Sequence, residues 1–242
     1  MDKKKIVQII ENFAPLELAE AWDCSGWLVE THKAEVKKVM LCLTVTDDIV
    51  RQAKSQNCDM LISHHPLFFV PFEYSGIDIY CAHTNLDRTQ GGTTDKLIEV
   101  LSIPRPLKEK ELCHCEERSD VAISSFVRYV DLEISTCDFA KKLCKVSKNV
   151  RLVNNKNATQ LNKIAFCAGS GSEFIKEAIS NGADCYVTGD LKFHTAAESD
   201  IVLFDIGHFE SEYPVLEVFE KLLQKDVEIV FAEEKSPFEY CL

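Results

Sequence analysis

Met60-Leu61-Ile62-Ser63-His64-His65-Pro66-Leu67-Phe68-Phe69 joins a short apolar run to two adjacent imidazoles and a proline. The run reads as a buried strand, and Pro66, which has no backbone N–H, stops regular pairing after it. The histidines are thereby carried to the C-terminal end of the strand, where open α/β sheets bind their ligands. Successive strand side chains point to opposite faces, so the pair does not readily chelate one ion. Either each imidazole serves its own metal, or the chain turns so that both face one cleft.

Outward from this stretch, strand and helix patterns alternate. Residues 4–13 have helical periodicity (Ile6, Ile9, Ile10, Phe13), and Pro15 ends that helix. A second short helix at 16–21 runs into a turn with Trp22, Gly26 and Trp27 that feeds a strand. Strands are expected at 39–45, 59–63 and 77–82, with a helix at 47–56. A helix at 94–101 closes on Ile103-Pro104-Arg105-Pro106. The proline pair, followed by the charged run 108–117, marks a domain boundary. Beyond it come a strand at 121–130, a helix at 136–144 and a polar loop at 154–160. Strand 163–168, helix 172–181 and strand 184–188 then repeat the earlier order. Strand 201–206, helix 213–224 and strand 227–231 complete the pattern. The expected organisation is a first α/β domain of residues 1–104 plus 196–242, carrying the metal ligands, and a second of residues 105–195.

The repetition extends to register. A shift of 125 positions lays Lys38-Val39-Met40-Leu41-Cys42 on Lys163-Ile164-Ala165-Phe166-Cys167 without a gap. Ala53 then falls on Ala178, Asp59 on Asp184, Ser63 on Thr188 and Phe68 on Phe193. All strand–helix–strand units look somewhat alike, which is the competing explanation. Gapless agreement over about thirty residues favours a duplication, giving two related α/β domains that face each other across a cleft. In that register His64-His65 correspond to Gly189-Asp190, so only the first copy carries the imidazole pair.

Composition narrows the function classes. The 242 residues are 46% hydrophobic and 27% charged, enough for one large domain or two small ones. The net charge of -12 argues against nucleic acid as the main partner. A small anionic substrate stays compatible, because a metal or a helix N-terminus can neutralise it locally. The 11 cysteines form no Cys-x-x-Cys pair, and Cys42, Cys81, Cys167 and Cys185 lie in apolar runs as core hydrophobes. No stretch approaches the ~20 apolar residues of a membrane span. A reducing, cytoplasmic setting is expected.

Four stretches place ligand-type side chains just beyond expected strands: His64-His65, His83 to Asp87, Gly189 to His194, and His208 to Glu212. The spacing of His208 and Glu212 puts imidazole and carboxylate on one face if the segment begins a helix. Asp87 follows its strand by a short loop and can reach the same cleft. Imidazole and carboxylate without thiolate suit zinc, iron(II) or manganese. Five ligands with one bridging carboxylate are too many for one open zinc site, but match two ions ~3.5–4 Å apart sharing a water. Each part also has a plainer explanation. His64-His65 can mark a polar turn, His83 can orient Asp87, and His208 with Glu212 can be an ordinary helix start. His194 suits a supporting role better than ligation. Gly169-Ser170-Gly171-Ser172 lacks the lysine of a P-loop, and a tight turn with Ser172 as N-cap explains it as well as a phosphate site does. Cys113-His114-Cys115 has nothing nearby to complete a tetrahedral set.

Ser63-His64-His65-Pro66-Leu67, His83-Thr84-Asn85-Leu86-Asp87 and Gly207-His208-Phe209-Glu210-Ser211-Glu212 resemble the three signatures of the Nif-three-like proteins. Members of that family are often called GTP cyclohydrolase I type two homologues. Ala19-Glu20-Ala21-Trp22-Asp23 and Thr188-Gly189-Asp190 resemble further family segments, so the likeness spans nearly the whole chain. The resemblance implies two related α/β domains, a dinuclear metal centre and a ring-shaped homohexamer, a trimer of dimers. It assigns metal ligation to His64, His65, Asp87, His208 and Glu212. Longer members carry an inserted domain for which this chain has no room, so it resembles the short form. Two positions depart from the family pattern: Cys24 stands where Asn is usual, and Thr44 where Asp is usual.

The expected activity is that of a hydrolase with two divalent ions per subunit, acting on a nucleotide-like or other small polar substrate. A hydroxide between the ions would be the nucleophile, His83 or His194 would assist proton transfer, and GTP ring opening is the specific version. No organic cofactor is called for. The alternative is a metal-binding scaffold or adaptor with a structural dinuclear site.

Overall fold

The computed structural model describes residues 1–103 and 125–239. Pro104 and Pro106, the charged run 108–117, Cys113-His114-Cys115 and the start of the strand expected at 121–130 lie outside the described residues. The chain divides into two compact units, Met1–Gly92 with Tyr213–Leu242, and Thr93–Glu212. The first unit opens with α1 (Lys3–Phe13), β1 (Gly26–Val29), β2 (Lys38–Cys42), α2 (Asp47–Ser55), β3 (Met60–Ser63), β4 (Asp78–Cys81) and α3 (Thr84–Arg88). The second holds α4 (Thr93–Val100), β5 (Arg128–Ser135), α5 (Thr136–Leu143), β6 (Arg151–Val153), β7 (Gln160–Phe166), α6 (Ile175–Ser180), β8 (Cys185–Thr188), α7 (Phe193–Ala197), β9 (Val202–Asp205) and α8 (His208–Glu212). The chain then returns to the first unit with α9 (Leu216–Leu223) and β10 (Glu228–Phe231).

Local chemistry accounts for the helix starts. Asp2 accepts from Lys4 N at 2.7 Å to begin α1, Thr46 accepts from Ile49 N at 3.3 Å to begin α2, and Ser135 accepts from Asp138 N at 3.0 Å to begin α5. The strands that position the histidines are buried along their whole length, as strands covered on both faces are. All four residues of β3 are buried, and β3 pairs in parallel with β2 on one side and β4 on the other. Met40, Leu61, Ile79 and Ile49 belong to the first unit's core, and Phe139, Phe166 and Phe204 to the second's. Cys42, Cys81, Cys167 and Cys185 are buried as the apolar runs suggest, and burial pushes the thiols of Cys42, Cys81 and Cys185 up.

Each unit contains a five-stranded sheet, ordered β1-β4-β3-β2-β10 in the first and β6-β9-β8-β7-β5 in the second. Four of the five strands correspond in order, direction and register. Val39 pairs with Met60 and Ile164 with Cys185, both partners 125 positions on. Ser63 pairs with Cys81 and Thr188 with Asp205, the second partner now 124 positions on, so one residue is missing before β9. The antiparallel edge follows the same rule, Gly26 with Cys81 and Arg151 with Asp205. Only the fifth strand differs, β10 running parallel to β2 and β5 antiparallel to β7. Two related α/β domains from an internal duplication are therefore present.

Several elements differ from expectation. The strand expected at 121–130 is β5, Arg128–Ser135, because its pairing with β7 continues to Ser135, opposite Gln160. Edge strand β6 has only three residues, two of them exposed, and offers no alternation to recognise. The helix expected at 16–21 is a single 3-10 turn, Leu16–Leu18. Gly171, not Ser172, occupies the cap position before the 3-10 turn Ser172–Phe174, and no side chain caps it. The units also meet the chain at other places than residues 105 and 195. Leu97 and Ile98 of α4 pack with Phe139 and Phe166, and β9 pairs with β8 and β6, so α4, β9 and α8 all belong to the second unit. His208 and Glu212 consequently fall in the second unit, whereas His64, His65 and Asp87 are in the first. Among the described residues no helix is long and apolar enough to cross a membrane.

Candidate metal centre

In the first unit the backbone keeps pairing one step past β3. His64 N donates to Cys42 O at 3.2 Å and His65 N to Leu43 O at 2.8 Å. This tether holds the two rings with centroids 5.2 Å apart. His64 is fully buried, and its Nδ1 donates to Ala82 O at 3.0 Å. A carbonyl only accepts, so Nδ1 carries a proton, and in the neutral ring the lone pair is on Nε2. His65 Nδ1 meets Thr44 Oγ1 at 2.7 Å. Strand β4 ends just before His83, and α3 turns Asp87 back so that its Oδ1 is 3.4 Å from His64 Nε2. One donor atom each of His64, His83 and Asp87 lies within 4.8 Å of the other two.

His83 is held by Asp23. Its Nδ1 donates to Asp23 Oδ1 at 3.0 Å, and its ring lies 5.2 Å from His64, 5.8 Å from His65 and 6.0 Å from Trp22. Asp23 also accepts from Cys24 N at 2.7 Å, Ser25 Oγ at 2.7 Å, Thr84 N at 3.1 Å and Thr84 Oγ1 at 2.5 Å. Burial alone would raise this carboxyl, but the hydrogen bonds from His83, Thr84 and Ser25 outweigh it and hold Asp23 well below the usual carboxylate range.

In the second unit Gly207, at φ +86, ends the extended chain and lets α8 begin at His208. The i,i+4 spacing does bring the two side chains together: His208 Nε2 is 2.9 Å from Glu212 Oε2. Nδ1 of His208 donates to Asp190 Oδ2 at 2.7 Å. The Gly169 loop lies against the Glu212 carboxylate. Gly169 N donates to Ser211 Oγ at 2.9 Å, and a Cβ on Gly169 would lie 2.0 Å from Glu212 Oε1. His194 lies on α7, exposed, its ring edge-on to that of Phe193 at 5.4 Å.

Burial alone would lower His208, but hydrogen bonds and charge from Glu212 and then Asp190 outweigh it and raise it to about 9. The folded value lies above the ordinary 6.5, so this stabilisation is fully present below that value and is lost as pH rises through about 9. Chelated protein is expected to lose about 1–2 kcal/mol between pH 6 and pH 10, a figure discounted for the ring's partial exposure. The urea midpoint at the two pH values measures it, and a midpoint that rises over that window refutes the protonated pair.

These donor sets suit a divalent ion. Metal-ligating histidines characteristically commit the second ring nitrogen to a carboxylate or carbonyl, which fixes the tautomer. His64 and His208 do this through Ala82 O and Asp190, and His65 engages the Thr44 hydroxyl. Residue types alone did not reveal Asp23, Thr44, Ala82 or Asp190 as anchors. Asp190 carried signals of its own: its place in the Gly189 to His194 stretch, in the family-like segment Thr188-Gly189-Asp190, and at the register of His65.

A family model described as Duf34/NIF3 (NGG1p interacting factor 3) matches residues 1–237. A Clostridium perfringens protein named GTP cyclohydrolase 1 type 2 homolog is 32% identical over 99% of this chain and 100% of its own length. Among solved structures, reduced HcgD from Methanocaldococcus jannaschii is 27% identical, with a TM-score of 0.79 over 97% of this chain and 98% of that one. A Bacillus cereus protein related to NIF3 is 20% identical, with a TM-score of 0.80 over 100% and 99% of the two chains, and supports the fold.

Proposed function

Because this chain belongs to the Duf34/NIF3 family, we propose that it is a metal-dependent hydrolase of a nucleotide-like or other small polar substrate, with two divalent ions held by His64, His65, Asp87, His208 and Glu212. Zinc, iron or manganese fits the imidazole and carboxylate donors. Such a pair of ions supplies Lewis acidity and an activated water. The observation that carries the reading is the anchoring of Nδ1 on His64, His65 and His208, which makes Nε2 of each the nitrogen that would bind an ion, on His208 in place of the proton it shares with Glu212.

The remaining side chains have separable tasks. Asp87, on α3, brings carboxylate charge beside His64, and Glu212 does the same beside His208. His83 is better placed than His194 to move a proton, because it is within the His64–Asp87 cluster and has its Nδ1 proton secured. GTP ring opening is the specific version that the names of the relatives suggest. A homohexamer would be the working assembly.

Metal analysis before and after chelation, paired with a hydrolysis screen that includes GTP, tests the proposal. About two ions per chain and turnover that disappears on chelation and returns with metal are the expected results. Turnover that survives complete metal removal sinks the mechanism. Bound metal without turnover, together with an assembly that dissociates on chelation, would instead favour a structural centre.

A further inference from the structure

We propose that Asp23 is the positioning residue of His83: its carboxylate keeps the ring proton on Nδ1 and so presents Nε2, as an acceptor, to the His64–Asp87 cluster. The assignment deepens the hydrolase reading, on which it depends for its purpose but not for its geometry.

Three observations support it. First, the Asp23 side chain is fully buried, and both oxygens are saturated by donors from Cys24, Ser25, Thr84 and His83. A carboxylate fixed in this way cannot rotate away from the ring, and it offers no proton to Nδ1. Second, the Ser25 hydroxyl that donates to Asp23 also accepts from His83 N at 3.1 Å, so one short loop holds both backbone and ring of His83. Third, His83 contributes a donor atom to the group formed with His64 and Asp87. With Nδ1 committed to Asp23, the lone pair it can offer there is on Nε2.

A loop clamp that merely stabilised the fold would not need an imidazole as one of its donors. A base that accepts a proton from an attacking water needs its tautomer set in advance, since the wrong tautomer offers a proton where a lone pair is required. Asp23 sets it without entering the cluster itself.

The test uses full-length, zinc-loaded protein labelled with 15N at imidazole. His83 signals are identified by their loss in H83Q. The wild type is expected to show one tautomer, protonated at Nδ1 and bare at Nε2. In D23N, whose amide must place a donor where Asp23 only accepts, those signals are expected to shift towards the other tautomer with zinc content unchanged. Where a substrate is turned over, kcat is expected to fall about 100-fold or more with KM nearly constant. A wild-type His83 protonated at Nε2 overturns the proposal, and this result does not need D23N to fold. Zinc loss in both D23N and H83Q also overturns it, because His83 would then be a ligand. Absence of turnover in the wild type refutes the hydrolase reading alone, while the tautomer measurement still decides the role of Asp23.

Discussion

If His64 is a ligand as proposed, the His64→Ala variant is expected to lose metal binding at the His64–Asp87 cluster, with affinity falling more than ~100-fold. Losing only a partner that orients a ligand typically costs 10–100-fold, and this change removes the ligand itself. It also deletes a fully buried ring and leaves Ala82 O without its donor, adding about 1–3 kcal/mol of destabilisation in the chelated protein. Titration of the chelated variant with zinc, alongside its urea midpoint, separates the two effects. A variant that melts early yet binds metal like the wild type would remove His64 from the ligand set and leave it a core histidine.

Gly169→Ala is expected to disable the other donor set from a position that carries no ligand. The new Cβ would lie 2.0 Å from Glu212 Oε1 and 2.9 Å from its Cδ, so the buried carboxylate must move. Gly169 also has φ +69, a conformation that costs an L side chain roughly 1–2 kcal/mol. Together these give an expected destabilisation of about 3 kcal/mol, with weakened metal binding at His208 and Glu212. Gly182→Ala is the control, since Gly182 has φ +78 and open space within 4 Å of its Cβ position. It should show only the backbone cost and bind metal normally. Equal losses in the two variants would show that the clash with Glu212 decides nothing.

The duplication shows how scaffold and site differ in legibility. The paired register of β2 with β3 recurs in β7 with β8 because core positions of a doubly covered sheet accept only apolar side chains of similar size. The ligands escaped that constraint. With the one-residue loss before β9, α3 and α8 are structural counterparts of five residues each, yet Asp87 then corresponds to Ser211 rather than to Glu212. His64-His65 correspond to Gly189-Asp190, and Asp190 supports a histidine where the first copy supplies one. The repeated unit thus transmitted a frame, and each copy furnished its strand ends separately.

By itself the sequence determined the alternation of strands and helices, the two related α/β units and the candidate ligands at the strand ends. Each of these is written in local terms: apolar runs, the proline after His65 and the i,i+4 spacing of His208 and Glu212. Tertiary structure alone decided which unit each helix joins, because the allegiance of α4 follows from packing against a distant core. It also decided the anchors of the imidazoles. Asp23 and His83 are 60 positions apart, and Asp190 and His208 are 18. A hydrogen bond between such residues depends on the path of the backbone between them, which no local pattern encodes.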